Sequence, residues 1–133
     1  MKRILGAACL IASSLSRLSG LETDGVSRFV GDWRGESSCI AKNTACHDEN
    51  VVYHVARIAG KPAFVSIVAD KIVDGKAVNM GTLEFRYEPD QDVLICEYAQ
   101  GTWRLEAAGG AMKGTLTRPD KTVFRRVELR KQH

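Results

Sequence analysis

The sequence predicts an all-β protein, an eight-stranded antiparallel up-and-down β-barrel. After residue 30, apolar residues recur at every second position, the period of a strand rather than a helix. Turn signals recur about every ten residues, the spacing typical of a sandwich or barrel. They divide the chain into eight segments with short connections and no long helical pattern. Eight hairpin-linked strands favour a closed barrel, because closure removes exposed sheet edges.

Local signals place each strand in turn. The second segment contains Val51, Val52 and Val55, which favour strands. The third and fourth segments meet at Asp74-Gly75, a dipeptide suited to the positive φ angles of a type I′ hairpin turn. Glycine, proline and aspartate mark most of the other turns. The predicted strands are residues 32–40, 49–58, 63–73, 76–87, 92–99, 102–107, 111–117 and 122–130.

The first twenty residues are predicted to be a signal peptide rather than part of the fold. A basic start, Met1-Lys2-Arg3, is followed by an apolar run at 4–12 and by small residues up to Gly20. The apolar run is too short to span a bilayer, so we expect no permanent membrane anchor. We therefore expect a barrel domain over residues 21–133 and a periplasmic or secreted protein.

Two other interpretations of the N-terminus are open. The start codon could be wrongly assigned, or Cys9 could be a lipidated cysteine. A lipoprotein motif has a large aliphatic residue three positions before its cysteine, where this chain has Gly6.

The net charge of +3 comes entirely from the predicted leader. Residues 1–20 hold three basic and no acidic residues, so residues 21–133 carry 16 of each sign. Because phosphate contacts supply most of the affinity of nucleic-acid binders, this balance argues against a nucleic-acid partner.

The first strand opens with Gly31, one residue and Trp33, preceded by Phe29. This pattern resembles the opening of the lipocalins and their calycin relatives. In that family the tryptophan packs at the closed end of the barrel, beneath a basic residue near the last strand. The resemblance implies this role for Arg125 or Arg126, and Arg125 is favoured because it lies on the apolar face of its strand. Alternatively, Trp33 is an ordinary core residue and both arginines are solvated.

Three further motifs are similar to those of small secreted bacterial lipocalin-like proteins, an uncharacterised group. They are Trp-x-Gly-x-Ser-x-Cys at 33–39, Cys-x-Asp-Glu-x-Val-Val-Tyr at 46–53 and Met-x-Gly-Thr-Leu at 112–116. The resemblance implies a barrel but no particular activity.

Cys39 and Cys46 flank the long loop after the first strand, and an exported protein meets an oxidising compartment. We expect a disulfide between them, worth about 2.5 kcal/mol. The alternative is a metal site formed by both cysteines with His47 and Cys96, although no Cys-x-x-Cys spacing supports it. Cys96 lies in an apolar strand and is predicted to be a buried, inert thiol; pairing between molecules and a ligand-facing thiol are the other possibilities.

No recognised catalytic or cofactor-binding motif occurs in the chain. His47-Asp48-Glu49 and His54 are the groups that could contribute to catalysis, but a hydrolase also needs an activated nucleophile within hydrogen-bond reach. Asp48 and Glu49 are more consistent with a turn, and His54 with a structural role within a strand. We therefore predict a non-enzymatic protein without a cofactor or metal.

The predicted function is binding of a small apolar or amphipathic ligand inside the barrel. The alternative is a filled barrel that binds or inhibits an envelope protein through its surface, and the interior side chains distinguish the two. Small residues facing inward would leave a cup: Gly35, Ser37, Ala63, Ala69 and Gly81. Large residues meeting at the centre would close it: Tyr53, Phe64, Met80, Phe85 and Trp103.

Overall fold

The computed structural model describes residues 25–40 and 45–133, which form a closed antiparallel barrel. Each strand pairs with the next along the chain, and the first pairs with the last. The predicted signal peptide, residues 1–20, lies outside the described residues. The strands are β1 Gly31–Cys39, β2 Glu49–Ile58, β3 Lys61–Val73, β4 Lys76–Glu88, β5 Val93–Tyr98, β6 Gly101–Ala108, β7 Ala111–Thr117 and β8 Val123–Lys131.

The fold class and all eight strands predicted from the sequence are confirmed, with ends displaced by at most two residues. The turn between β3 and β4 shows why the local signals succeed. Asp74 has a φ of 51° and Gly75 a φ of 78°. Both angles are positive, as a type I′ turn requires, so this dipeptide stabilises the hairpin.

The barrel has two different ends. At the closed end, β1 begins, β8 ends, and the β2–β3, β4–β5 and β6–β7 connections are short. The opposite end, here called the mouth, carries the β1–β2 loop, the β3–β4 and β5–β6 hairpins and the β7–β8 loop. Side chains that alternate inward along the strands fill the lower barrel. The largest fully buried ones include Trp33, Leu94, Leu105, Met112 and Leu129.

A helical turn at residues 25–27 and the segment after it plug the closed end. Phe29 is fully buried, which stabilises the fold by about 1.5–3 kcal/mol. Its ring meets the ring of Tyr87 edge to face, with centroids 6.1 Å apart. Its carbonyl oxygen accepts a hydrogen bond from Nε1 of Trp33 at 2.8 Å. The indole is thereby satisfied inside the core, as a buried Trp N–H requires.

The predicted contact between Arg125 and Trp33 is wrong. The antiparallel register of β1 and β8 places Lys131 opposite Trp33, and Nζ of Lys131 lies 5.2 Å from the indole centroid. Arg125 lies opposite Cys39 instead. Six residues of strand separate the two levels, a distance of about 20 Å. Arg125 does face inward, but at the mouth.

The seam between β4 and β5 is short. These strands pair over only three positions, Arg86 with Ile95, Tyr87 with Leu94 and Glu88 with Val93. Towards the mouth, β4 continues beside β3 alone, and a bulge between Ala69 and Asp70 interrupts that pairing. The β3–β4 hairpin therefore extends as a two-stranded ribbon beyond the seam.

Candidate functional site

The barrel holds a cavity of about 430 Å³ below the mouth. Its volume falls within the range of about 300–1,000 Å³ typical of small-molecule sites. The β1, β3 and β4 strands contribute small residues to the lining, which leave space above the packed lower core. Most of the remaining wall is apolar: Ile67, Leu83, Phe85, Trp103, Leu116 and Phe124.

The large residues that could have closed the barrel line the cavity instead. Tyr53, Met80, Phe85 and Trp103 all lie on its wall. Phe64 does not, because it alternates with the buried Val65. Nζ of Lys61 lies 5.4 Å from the centroid of the Phe64 ring, in a cation–π contact.

Of the small residues expected to leave a cup, Ser37, Ala69 and Gly81 line the cavity, whereas Gly35 and Ala63 do not. Gly35 meets a different requirement. A Cβ atom at this position would lie 2.0 Å from the carbonyl oxygen of Glu128, so β1 and β8 could not approach each other.

Arg125, in β8, forms hydrogen bonds with β1 and with the β1–β2 loop from inside the mouth of the barrel. Only 13% of its side chain is exposed. Nη1 donates to the carbonyl oxygen and the hydroxyl of Ser37, at 3.1 and 2.8 Å, and Nη2 donates to the carbonyl oxygen of His47 at 2.9 Å. The carboxylate of Glu49 lies 3.7 Å from Nη1 and balances the charge. Both terminal nitrogens are therefore satisfied by the protein.

The β1–β2 loop is held against this arginine by the predicted cysteine pair. The sulfur atoms of Cys39 and Cys46 are at bonding distance, in agreement with the predicted disulfide. Sγ of Cys46 also accepts a hydrogen bond from Nη2 of Arg125 at 3.0 Å. Asp48 completes the loop by accepting a hydrogen bond from the backbone N–H of Cys39 at 2.8 Å.

The arrangement of the described residues gives no support to the alternative metal site. A disulfide leaves Cys39 and Cys46 without the thiolates that a zinc site needs. Within residues 25–40 and 45–133, no three His, Cys, Asp or Glu side chains are grouped to hold a metal ion.

After Ser37, Tyr53 is the most deeply buried polar residue on the cavity wall. The residue is 7% exposed and lies opposite Trp33 in the β1–β2 register, so it marks the floor. Burial raises the pKa of its phenol, and the positive charge of Arg125 opposes that shift. The phenol is thus neutral at physiological pH. Its hydroxyl makes no hydrogen bond with any residue that the structure describes.

Two more polar groups lie nearer the mouth. The hydroxyl of Tyr98 is 3.4 Å from Oε1 of Gln100, a weak hydrogen bond at the cavity rim. Burial raises the pKa of Tyr98, and a side-chain hydrogen bond with Trp103 opposes the shift.

The free cysteine, Cys96, is buried on the inner face of β5, as predicted. Burial raises the pKa of its thiol, and the nearby charge of Glu97 adds to the shift. Both effects lower the thiolate fraction, which disfavours nucleophilic or redox chemistry at this position.

The candidate catalytic groups are not brought together. His54 lies on the outer wall, where Nδ1 is 2.8 Å from Asp32 and Nε2 is 3.1 Å from Asp70. Hydrogen bonding to Asp32, then to Asp70, raises the pKa of the imidazole, while partial burial opposes the shift. His47, in contrast, contributes its backbone carbonyl to Arg125 at the mouth. The sequence predicted a structural role for His54 but not its two partners, because Asp32 and Asp70 are distant from it in the chain.

Exposed apolar side chains lie beside the entrance to the cavity. The ribbon of β3 and β4 exposes Val73, Val78 and Met80, and Met80 also reaches the cavity. Lys71 and Lys76 lie on the same face of the ribbon as Val73 and Val78, so this surface is both apolar and basic. None of the helical segments described is long and apolar enough to cross a membrane.

Comparison of the chain with protein-family models, curated proteins and solved structures gives no match. The closed eight-stranded barrel is consistent with a lipocalin-like fold, and no comparison shows membership of a family.

Proposed function

We propose that this protein is an exported, non-enzymatic barrel that binds a small apolar or amphipathic molecule in the cavity below its mouth. The observation that supports this proposal is the cavity itself: about 430 Å³, with a mainly aliphatic and aromatic wall that also carries several polar side chains. Sites for small molecules typically combine an apolar wall with a small number of placed polar groups. An eight-stranded barrel has room for one such ligand.

Export is part of the proposal. It rests on the basic and apolar pattern of residues 1–20 and on the Cys39–Cys46 pair, since disulfides persist in oxidising compartments. A periplasmic or secreted carrier would meet apolar molecules that need protection from water.

Fluorescence titration with the neutral apolar dye N-phenyl-1-naphthylamine tests binding directly. We expect saturable binding of one dye per protein, accompanied by quenching of Trp103, which lies on the cavity wall. Ala69→Phe places a ring in the cavity and should abolish dye binding. Ala77→Phe is the matched control, because Ala77 lies on the exposed ribbon outside the cavity. Equal dye affinity in both variants would locate binding elsewhere and contradict the proposal.

Native mass spectrometry of protein purified from its own host provides a second test. A co-purifying small molecule that is lost from the Ala69→Phe variant supports the carrier function. Repeated recovery of bare protein counts against it.

A second candidate is a protein-interaction or inhibitor module of the cell envelope. It is favoured by the exposed apolar side chains of Val73, Val78 and Met80 on the ribbon. Charged substitution of Val78 separates the two functions. It should abolish a protein complex that uses the ribbon but leave dye binding in the cavity intact.

A further inference from the structure

The floor of the cavity holds a polar group that the protein itself leaves without a partner. Tyr53 is 7% exposed, and its hydroxyl has no hydrogen bond to any described residue. Among the described residues, every fully buried side-chain nitrogen or oxygen has a hydrogen-bond partner, so this unbonded hydroxyl is open to the cavity and not sealed inside the core. The wall of the cavity therefore presents a hydroxyl that can donate a hydrogen bond to a ligand and accept another.

The charged groups near this hydroxyl are already paired. The terminal nitrogens of Arg125 donate to Ser37, His47 and the disulfide sulfurs, and its charge faces Glu49 at 3.7 Å. The second cation near Glu49 is Lys71, whose Nζ is 3.9 Å away and whose side chain is 40% exposed at the rim. Neither cation thus stands as an unpaired charge at the floor of the cavity.

This pairing disfavours a charged ligand group in the cavity. A carboxylate would lose its hydration and meet an arginine whose charge Glu49 already balances. An ammonium group would have to compete with Arg125 for the same glutamate. A neutral hydroxyl or carbonyl loses far less on leaving water, and Tyr53 can satisfy it directly.

Resting on the proposed carrier function, we infer that the ligand is a neutral amphiphile whose hydroxyl or carbonyl group exchanges a hydrogen bond with Tyr53. Its apolar body lies against the aliphatic and aromatic wall. Arg125 acts as a positioning residue that holds the mouth in shape and does not serve as an anion receptor.

Three ligands of equal chain length test the selection: decan-1-ol, decanoate and decylammonium, each displacing N-phenyl-1-naphthylamine at pH 7. The affinity of the dye for each variant is measured first, so that displacement can be converted to ligand affinity. We expect decan-1-ol to bind at least tenfold more tightly than either charged ligand. Stronger binding of decanoate or decylammonium would overturn the inference while leaving the carrier function intact.

Tyr53→Phe removes the hydroxyl and keeps the ring. It should weaken decan-1-ol binding about two- to tenfold, the value of one hydrogen bond, and leave dye affinity nearly unchanged. Tyr87→Phe is the matched control, because the Tyr87 hydroxyl donates to Asp92 at the closed end and does not line the cavity. Unchanged decan-1-ol affinity in Tyr53→Phe, or an equal loss in both variants, would refute the role of Tyr53. Failure of the dye and all three ligands to bind wild-type protein would instead refute the carrier function.

Discussion

Opening the bond between Cys39 and Cys46 should lower the free energy of unfolding by about 2.5 kcal/mol. The two cysteines are seven positions apart, so the bond closes a loop of about eight residues in the unfolded chain. The native state adds to the effect, because Nη2 of Arg125 donates to Sγ of Cys46 and to the carbonyl oxygen of His47. Reduction releases the segment that presents these acceptors.

Urea denaturation followed by far-ultraviolet circular dichroism, with and without dithiothreitol, measures this loss. For a domain of this size, a loss of about 2.5 kcal/mol corresponds to a fall in Tm of about 10 °C. The double variant Cys39→Ser/Cys46→Ser is the control. The urea concentration at its unfolding midpoint should match that of the reduced wild type and should not change with the reductant. Identical midpoints for oxidised and reduced wild type would refute the loop-closure reasoning.

Three further predictions concern single positions. Lys131→Met should cost about 0.5–1 kcal/mol in urea denaturation through loss of its cation–π contact with Trp33, and an unaltered midpoint would argue against that contact. His54→Gln should remove a pH-dependent contribution: because the folded pKa is raised, the stabilisation is complete below the unfolded pKa of about 6.5 and is lost as pH rises through the folded value. NMR titration of the imidazole should give a pKa above 6.5, and a lower one would contradict this assignment. Gly35→Ala should destabilise by about 1–3 kcal/mol, because the added Cβ meets backbone atoms of β8; wild-type thermal stability would show that the strands can separate.

The elements of the barrel could be predicted because their signals are local. Alternation of side chains is a property of a single strand, and the Asp74-Gly75 turn needs positive φ angles that these two residues tolerate. The inward direction of Arg125 was predictable for the same reason. The position of Arg125 along the barrel axis could not be predicted. It depends on the register between β1 and β8, which come from opposite ends of the domain.

The sequence by itself determined the fold class, the strand order, the burial of Trp33 and the pairing of the two cysteines that flank one loop. Only the tertiary structure decided that Lys131 rather than Arg125 covers the indole, and that Tyr53 and Trp103 line a cavity instead of filling it. The physical reason is that period two specifies which face a side chain takes. The register of the closing strands and the space left between opposite walls specify which side chains meet.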